Sequence, residues 1–464
     1  MKPSAIAVLA ALILLIRPMK PSAQPLDLAT LDAELARVVR EKHIPGLSVG
    51  VMHEGRVILA KAYGVSSLAT GELLTPETLL AVGSVTKEFT CAAALLLVEE
   101  GKLAMDERVA KYFPGLTRAS DITLLDLGQH VSGYRDYYPL DFVHRDMARP
   151  RPSDDVIREY GSRPLDFEPG SRYSYSNTGY LMLGRVVERV SGESFESFLS
   201  RRIFDPLGMH YTRYEPQRSE PGLAQGYTSF ALASPEPAIA EGDGWIGAAG
   251  GIWSTPKDLL AWDLALMDGK IVSKESYAAM TTPRRLSDGS SSDYGCGLRI
   301  RSMGGAAVLS HGGALSGFVA SNAFVPSTRS AVVLLASVDF AALGDVPDAI
   351  LAKLLPRSAR LPGIAGPPAL EVASALLEQL RRGSLDREAL GEEYRIYLTP
   401  ERLRTAAASL QGLGEVSGLE LVGLRERGEM EVASFRLSIG ATPAQAILYR
   451  SKDGKVQEFL INRR

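Results

Sequence analysis

The placement of β-rich segments constrains the fold most. Residues 47–53 and 56–63 are β-rich, and Glu54-Gly55 joins them as a hairpin. A second β-rich region begins near Tyr294 and continues to about residue 338, whereas helix-period segments dominate between residues 88 and 209. Strands at both ends with helices between them predict one mostly antiparallel sheet flanked by helices, with a helical insertion beside it. The fold class predicted for residues 24–355 is therefore α+β.

A proline-rich segment follows this first domain. Residues 356–368 contain four prolines and no periodic pattern, which predicts a linker. Beyond it, residues 369–464 read as a small α+β accessory domain with helices at 370–382 and from Thr399. Strands are expected at 419–425, 431–439, 446–449 and 457–461. Every candidate for chemistry lies before the linker.

The first 23 residues have the pattern of a signal peptide. Lys2 supplies the positive start, residues 5–16 are an apolar run, and Ser22-Ala23 offers small residues for cleavage. The run is too short to span a bilayer, which needs about 20 apolar residues. We expect export to the periplasm or the extracellular space; the alternative is an uncleaved anchor.

Composition excludes several classes of protein. Lys and Arg number 51 against 54 Asp and Glu, so the net charge of −3 gives no electrostatic footprint for nucleic acid. Only 2 Cys and 6 His are present, and no cluster has zinc-like spacing, so we expect no metal and no cofactor. Cys91 and Cys296 lie far apart in apolar contexts, which favours two buried thiols over a disulfide. The sequence leaves the oligomeric state open.

Two short motifs match serine-nucleophile patterns in the wrong context. The segment around Ser48 matches G-x-S-x-G, but the chain continues as a strand into a hairpin and not as the strand-to-helix turn that this motif requires. The segment from Ser254 to Lys257 matches S-x-x-K. There Thr255 and Pro256 are better explained as the cap and first position of a helix.

The segment from Ser84 to Lys87 also matches S-x-x-K, and its context differs. It follows Gly83 and opens a helix that is apolar on nearly every side from Phe89 to Val98, so the helix should be buried. Ser84 and Lys87 share one face at the i, i+3 spacing. Burial disfavours an ammonium, so Lys87 would be a neutral amine able to take the Ser84 proton. The alternative is a capping serine with a solvated lysine.

Two later motifs favour the catalytic interpretation. Tyr175-x-Asn177 can place a phenol and an amide on one side of an extended loop that leads into a helix. His311-Gly312-Gly313 lies at the end of a predicted strand, where paired glycines let a backbone approach a ligand closely. Taken alone, the Tyr175-x-Asn177 motif would be interpreted as a core tyrosine beside a helix cap. The His311-Gly312-Gly313 motif would be interpreted as a glycine-rich hairpin.

The three motifs in this order resemble those of the serine β-lactamase and penicillin-binding-protein superfamily, closest to the class C β-lactamase-related esterases and D-amino-acid peptidases. The resemblance implies that Ser84 attacks a carbonyl and that Lys87 and Tyr175 share the acid/base work. It further implies that Asn177 holds the substrate amide or Lys87. His311, Gly312 and Gly313 would contact substrate, and the backbone N–H groups of Ser84 and Ala314 would form an oxyanion hole.

The chain departs from true β-lactamases where their third motif begins with lysine, because His311 stands there and is at best a partial cation near neutral pH. We therefore expect an exported serine hydrolase acting through an acyl-enzyme on small-molecule esters, amides or D-amino-acid peptides, with β-lactamase activity secondary. The alternatives are a β-lactamase, a penicillin-binding sensor that does not turn over, and a catalytically silent scaffold.

Overall fold

The computed structural model describes residues 26–140, 142–231, 233–340, 343–355 and 363–463. The predicted signal peptide, residues 1–23, lies outside the described residues, as do positions 356–362 of the predicted linker. The described residues divide into two compact units, one up to residue 355 and the other from residue 363 onward.

The helices of the first unit are α1 (Leu28–Glu41), α2 (Thr86–Glu99), α3 (Leu124–Gly128), α4 (Ser153–Gly161), α5 (Asn177–Ser191), α6 (Phe195–Leu199), α7 (Asp205–Leu207), α8 (Pro256–Met267), α9 (Lys274–Thr281) and α10 (Val346–Leu354). Its strands are β1 (Gly46–His53), β2 (Arg56–Gly64), β3 (Leu80–Ala81), β4 (Arg213–Tyr214), β5 (Tyr227–Thr228), β6 (Glu236–Pro237), β7 (Ile252–Ser254), β8 (Arg299–Met303), β9 (Ala306–Leu315), β10 (Phe318–Val325) and β11 (Ser330–Ala336).

A six-stranded antiparallel sheet in the order β2-β1-β11-β10-β9-β8 forms the centre of this unit. Strand β1 of the early hairpin pairs with β11, the last strand of the sheet in chain order, and Val49 lies opposite Leu334. The two ends of this unit therefore belong to one sheet. The predicted α+β class and mostly antiparallel sheet are confirmed. The hairpin turn has positive φ at Glu54 (50°) and Gly55 (75°), as a two-residue turn between twisted strands requires.

Both faces of the sheet are covered, which explains why β11 is continuously apolar. Val332 and Leu334 pack in the cluster that contains Leu31 of α1 and Leu351 of α10. The alternate residues, Val333 and Leu335, pack on the opposite face with α2 and α8. The strand therefore lacks the alternation of a half-exposed strand.

Helix α2 is buried over residues 86–97, including Lys87 and Glu88 at its start. This confirms the expectation from its unpatterned apolar sequence. Cys91 lies one turn after Lys87 and forms a disulfide with Cys296, so the predicted pair of buried thiols is wrong. The partners are separated by 205 residues, and the fold brings them together. Gly128 leaves the necessary space, because a Cβ on it would lie 2.6 Å from Cys296 Sγ.

The second unit packs helices against one sheet. Its helices are α11 (Ala369–Arg382), α12 (Glu392–Tyr397) and α13 (Pro400–Leu413), and its strands are β12 (Val416–Arg427), β13 (Met430–Ile439), β14 (Thr442–Arg450) and β15 (Val456–Arg463). The strands form an antiparallel meander in chain order. Thr399 caps α13 by accepting a hydrogen bond from the Arg402 N–H. Helix α12 is not predicted by the sequence, because its six residues are too few for a helical period to be recognised.

Among the described residues, no helix combines the length and the apolar character needed to cross a membrane.

Candidate active site

Ser84 lies in a short 3₁₀ turn, Gly83–Val85, that leads directly into α2. Gly83 has a φ of +51°, and a Cβ on it would lie 2.9 Å from the Ala314 backbone nitrogen. Only glycine fits this conformation and this approach without strain. The turn thereby brings the backbone of Ser84 beside that of Ala314.

Lys87 is completely buried and has three polar neighbours. Its Nζ lies 3.0 Å from Ser84 Oγ, 2.8 Å from Asn177 Oδ1 and 2.7 Å from the Ala249 carbonyl oxygen. Burial lowers the pKa of the Lys87 ammonium to about 7, although the nearby Asp136 carboxylate acts to raise it. A neutral amine has two N–H donors and one lone pair. It can donate to Asn177 and Ala249 while it accepts the Ser84 proton.

Asn177 is held by Asp136, a residue to which the sequence analysis gave no role. Asn177 Nδ2 donates to Asp136 Oδ1 at 3.1 Å, and the Asn177 backbone N–H donates to the same oxygen at 3.0 Å. The amide nitrogen is therefore engaged, and the amide oxygen faces Lys87. Of the two predicted roles for Asn177, the geometry shows contact with Lys87. Asp136 lies in an irregular loop 41 positions before Asn177, where no local pattern indicates the pairing.

Tyr175 lies in the extended loop before α5, with its ring 4.8 Å from Lys87 Nζ. Burial raises the pKa of the Tyr175 phenol well above 10, and the nearby Ser84 hydroxyl opposes this rise only in part. Tyr175 therefore stays protonated and is a proton donor in the resting site. This assigns the resting base to Lys87.

His130 supports the Tyr175 loop. Its Nδ1 accepts a hydrogen bond from the Ser176 backbone N–H at 3.1 Å, and its ring lies 4.3 Å from the Tyr175 ring. Burial, followed by the charge on Lys87, holds the pKa of His130 well below its usual value. It is therefore a neutral ring that positions the loop, a role that the sequence analysis missed.

The third motif lies on β9, next to the nucleophile turn. A Cβ on Gly313 would lie 2.0 Å from the Val82 carbonyl oxygen, whereas one on Gly312 would have nothing closer than 3.9 Å. Gly313 is thus required by packing, and Gly312 borders open space. His311 Nε2 lies 2.8 Å from the Tyr294 hydroxyl, and burial, followed by the charge on Lys87, lowers the pKa of His311 to about 3. The imidazole is neutral.

A cleft of about 580 Å³ joins these elements. Ser84, Tyr175, His311, Gly312, Gly313 and Ala314 all line it, while Lys87 and Asn177 lie behind its wall. The structure therefore brings all three predicted motifs together. The backbone of the Ser84 turn lies next to Ala314 at this cleft, and such proximity is a precondition for the oxyanion hole that the sequence analysis expects from the two N–H groups.

The two rejected motifs lie elsewhere. Ser48 is fully buried within β1, opposite Leu335. Ser254 ends β7, and its hydroxyl lies 2.8 Å from Thr212 Oγ1. Thr255 caps α8 by accepting a hydrogen bond from the Asp258 N–H, as the sequence predicts.

Comparison with known families agrees with this geometry. Residues 31–355, well over half of the chain, match the family described as Beta-lactamase. The chain belongs to the beta-lactamase family. The relationship predicted from the three motifs is confirmed, and D-aminopeptidases, which the sequence analysis names as one branch, are among the similar curated proteins.

The D-aminopeptidase of Brucella anthropi is 30% identical over 296 residues, which is 63% of this chain and 56% of that protein. The D-aminopeptidase of Brucella suis biovar 1 is also 30% identical, over 297 residues, with the same coverage of 63% and 56%. The chain thus spans about half the length of the curated relatives it matches.

Solved structures show the same fold. A D-stereospecific amidohydrolase from Streptomyces has a TM-score of 0.61 at 23% identity, covering 69% of this chain and 97% of that one. A penicillin-binding protein from Bacillus halodurans has a TM-score of 0.60 at 26% identity, covering 68% and 98%. An octameric penicillin-binding-protein homologue from Pyrococcus abyssi has a TM-score of 0.61 at 22% identity, covering 94% and 100%.

Proposed function

We propose that this protein is an exported serine hydrolase that cleaves amide or ester bonds, D-amino-acid derivatives among them, through an acyl-enzyme on Ser84. The observation that carries the proposal is the buried Lys87, whose Nζ lies 3.0 Å from Ser84 Oγ and whose pKa burial lowers to about 7. A lysine in this state is a base matched to neutral pH.

The chemistry follows from the contacts. The Ser84 hydroxyl attacks the substrate carbonyl while its proton passes to the Lys87 amine, and the Ser84 and Ala314 N–H groups receive the oxyanion. The Tyr175 phenol then donates its proton to the leaving atom and regains one from the Lys87 ammonium, 4.8 Å from its ring. Water attacks the acyl-enzyme with the same groups in reverse order. The preorganised donors are each worth about 3 kcal/mol in comparable sites.

Three observations support the choice of substrate class and compartment. The two curated relatives described above are both named D-aminopeptidases. The neutral His311 lacks the charge of the lysine that β-lactamases carry there. The Cys91–Cys296 disulfide is typical of an oxidising compartment, in agreement with a signal peptide at residues 1–23.

The test compares wild type with Ser84→Ala. After treatment with a fluorophosphonate, intact-mass analysis should show one adduct on wild type and none on the variant. Wild type should then hydrolyse p-nitrophenyl acetate and D-alanine p-nitroanilide faster than a chromogenic cephalosporin. An adduct without turnover would favour the sensor alternative, and an equal adduct on both proteins would refute the nucleophile assignment. Mass analysis of the mature N-terminus from cell fractions tests export.

A further inference from the structure

The carboxylate of Asp136 lies one amide away from the general base. Asn177 Nδ2 donates to Asp136 Oδ1 at 3.1 Å and to Oδ2 at 3.3 Å, and Asn177 Oδ1 accepts a hydrogen bond from Lys87 Nζ at 2.8 Å. The backbone N–H groups of Asn177 and Tyr138 also donate to Asp136 Oδ1, at 3.0 Å and 3.2 Å. The carboxylate is the acceptor in each of these contacts, which suits its ionised form.

This carboxylate fixes which end of the Asn177 amide faces Lys87. A neutral amine needs acceptors for its two hydrogens and has one lone pair for the Ser84 proton. The Asn177 amide oxygen and the Ala249 carbonyl accept the two hydrogens. A reversed amide would present its N–H groups to the lone pair and would compete with the Ser84 proton. Asp136 opposes that reversal, because a carboxylate accepts from an amide nitrogen and cannot donate to an amide oxygen.

The residues on either side of Asp136 hold it in place. The carbonyl of Arg135, the residue before it, accepts a hydrogen bond from the Thr178 hydroxyl at 2.7 Å. Tyr137, the residue after it, is buried. The loop is therefore tied to the start of α5 at two successive positions, Asn177 and Thr178.

The charge of Asp136 also acts on Lys87. Burial lowers the pKa of Lys87 to about 7, and the Asp136 carboxylate works against that fall. The surrounding phenols and imidazoles are neutral near pH 7, because burial raises the pKa of the former and lowers that of the latter: Tyr137, Tyr175, Tyr180, Tyr294, His130 and His311. Burial also raises the pKa of Glu88, which follows Lys87 on α2.

Charged residues on the adjacent segments have other contacts. Arg135 is paired with Asp166 at 2.8 Å, and Glu241 accepts a hydrogen bond from the Tyr138 hydroxyl at 3.0 Å. The charge of Arg299 acts on the two imidazoles, where it contributes to their lowered pKa. Within the described residues, the carboxylate that acts on the base is thus the one that also orients its amide partner.

We propose that Asp136 is a positioning residue for the reaction: acting through Asn177, it orients the Lys87 amine toward Ser84 and stabilises the ammonium that forms. The inference rests on the proposed function. In the step concerned, the Ser84 O–H bond breaks, its proton joins the Lys87 lone pair, the Oγ–acyl bond forms, and the carbonyl electron pair moves onto the oxyanion. The roles resemble those of a serine triad, in which a buried carboxylate orients the base and stabilises its cation.

The test measures how the rate of Ser84 labelling by a fluorophosphonate depends on pH, because this rate needs only the nucleophile and its base. For wild type the rate should fall about tenfold per pH unit below 7. Asp136→Asn keeps an acceptor oxygen and removes the charge, so the pKa of Lys87 should fall. An opposite charge in close contact moves a pKa by about 1–3 units, and one amide lies between these groups, so the midpoint should move about one unit to lower pH. The rate above the midpoint should fall about tenfold, because the new ammonium is stabilised less.

Two further variants serve as controls. Asp136→Glu retains the charge and should keep the wild-type midpoint, with a lower rate above it because the longer side chain displaces the Asn177 amide. The matched control is Asp166→Asn, which removes a carboxylate paired with Arg135, the neighbour of Asp136 in the chain. It should keep both the midpoint and the rate. Circular dichroism shows whether each variant is folded, and Asp136→Ser, which also removes the charge, replaces Asp136→Asn if the latter is unfolded.

The midpoint separates positioning of the base from a merely structural role, which lowers the rate at every pH and leaves the midpoint in place. A wild-type midpoint in folded Asp136→Asn would overturn the inference. An equal shift in Asp166→Asn or in Asp136→Glu would overturn it as well. Labelling of wild type at a residue other than Ser84, or no labelling at all, would instead contradict the proposed function.

Discussion

Two segments of this chain have the same spacing of serine and lysine, and each is followed by an acidic residue. The first is Ser84 to Glu88 and the second is Ser254 to Asp258. Ser84 lies in a 3₁₀ turn beside an open cleft. Ser254, in contrast, is fully buried at the end of β7, and its hydroxyl is hydrogen-bonded to that of Thr212. The spacing alone therefore does not make a nucleophile.

The two lysines differ more than the two serines. Lys87 is fully buried with three polar neighbours, and its pKa is lowered to about 7, whereas Lys257 is exposed on the first turn of α8. The cause lies in the surroundings of the two helices, because α8 leaves the side that bears Lys257 exposed. Helix α2 is apolar on every side and is surrounded by protein, so its first turn is buried as well. The environment of the helix turns the first lysine into a base and leaves the second as a surface cation.

The largest effect is expected from removing the two serine hydroxyls separately. Ser84→Ala should reduce kcat for p-nitrophenyl acetate by at least a thousandfold, because the nucleophile is lost. Ser254→Ala should leave kcat within about twofold and cost about 1 kcal/mol of stability, because one hydrogen bond to Thr212 is lost. Steady-state kinetics and urea unfolding measure both. Equal losses of activity would show that the two segments are not functionally distinct.

Replacing the two lysines separately should give almost as large a difference in kcat. Lys87→Met removes the base but keeps the apolar stem, so kcat should fall by about 10²–10⁴ while the fold is retained. Lys257→Met changes an exposed side chain and should stay within about twofold of wild type. Esterase assays with circular dichroism of each variant provide the measurement. A Lys87→Met enzyme with more than a tenth of wild-type activity would contradict the assignment of the base.

The contrast also shows which parts of the site the sequence can predict. Ser84 and Lys87 were predictable because adjacent residues and an apolar helix fix their environment. The sheet was predictable because the β-rich segments lie at both ends of the domain. Tyr175 and His311 were recognised by motif and order. Their distances to Ser84 depend on the fold.

The residues that the sequence did not reveal act across long separations. Asp136 meets Asn177, His130 meets Ser176, and Cys91 meets Cys296 after 205 residues. Each pair joins a loop to a helix or to another loop. Such long-range contacts cannot be predicted from the local periodicity of the sequence.

The disulfide gives a third way to compare the two segments, because within the described residues it ties α2, and not α8, to another part of the fold. Replacing Cys91 and Cys296 by alanine together should cost about 2–5 kcal/mol of unfolding free energy, since a long loop is no longer closed in the unfolded chain. Urea unfolding with and without reductant measures the loss. Reductant should destabilise wild type and leave the double variant unchanged. An unchanged wild type would contradict a structural role for the bond.

The pH dependence of activity tests the difference in environment directly. The Lys87 amine is the active form and its pKa is lowered to about 7, so kcat/KM should fall about tenfold per pH unit below 7. The pKa of Tyr175 is raised well above 10, so no loss is expected from that phenol up to pH 9. Lys257→Met should show the same profile. A flat profile between pH 5 and 8 would contradict a neutral Lys87.

The smallest predicted effect concerns the acidic residue after each lysine. Glu88 is fully buried, where its Oε2 accepts hydrogen bonds from Trp262 Nε1 at 2.8 Å and Asn322 Nδ2 at 3.2 Å. Asn322 Nδ2 also donates to the buried Asp263 at 2.8 Å. Burial, followed by the proximity of Asp263, raises the pKa of Glu88 well above its usual value, and burial raises the pKa of Asp263 to about 8. Asp258, in contrast, accepts hydrogen bonds from Tyr211 and Thr212 near the start of α8.

The sign of the effect follows from these shifts. Between pH 5 and 7 the folded protein keeps protons on the Glu88–Asp263 pair that the unfolded chain has released, so the pair lowers the free energy of unfolding as pH rises. Glu88→Gln removes one such group. Its stability relative to wild type should therefore increase with pH, by at most about 1.4 kcal/mol per unit. Asp258→Asn should lower stability, with a smaller change in how the free energy of unfolding depends on pH.

Urea unfolding followed by tryptophan fluorescence measures the stability of the first unit, because all 3 tryptophans lie in it. A constant difference between Glu88→Gln and wild type at pH 5, 6 and 7 would show that the buried pair holds no extra proton.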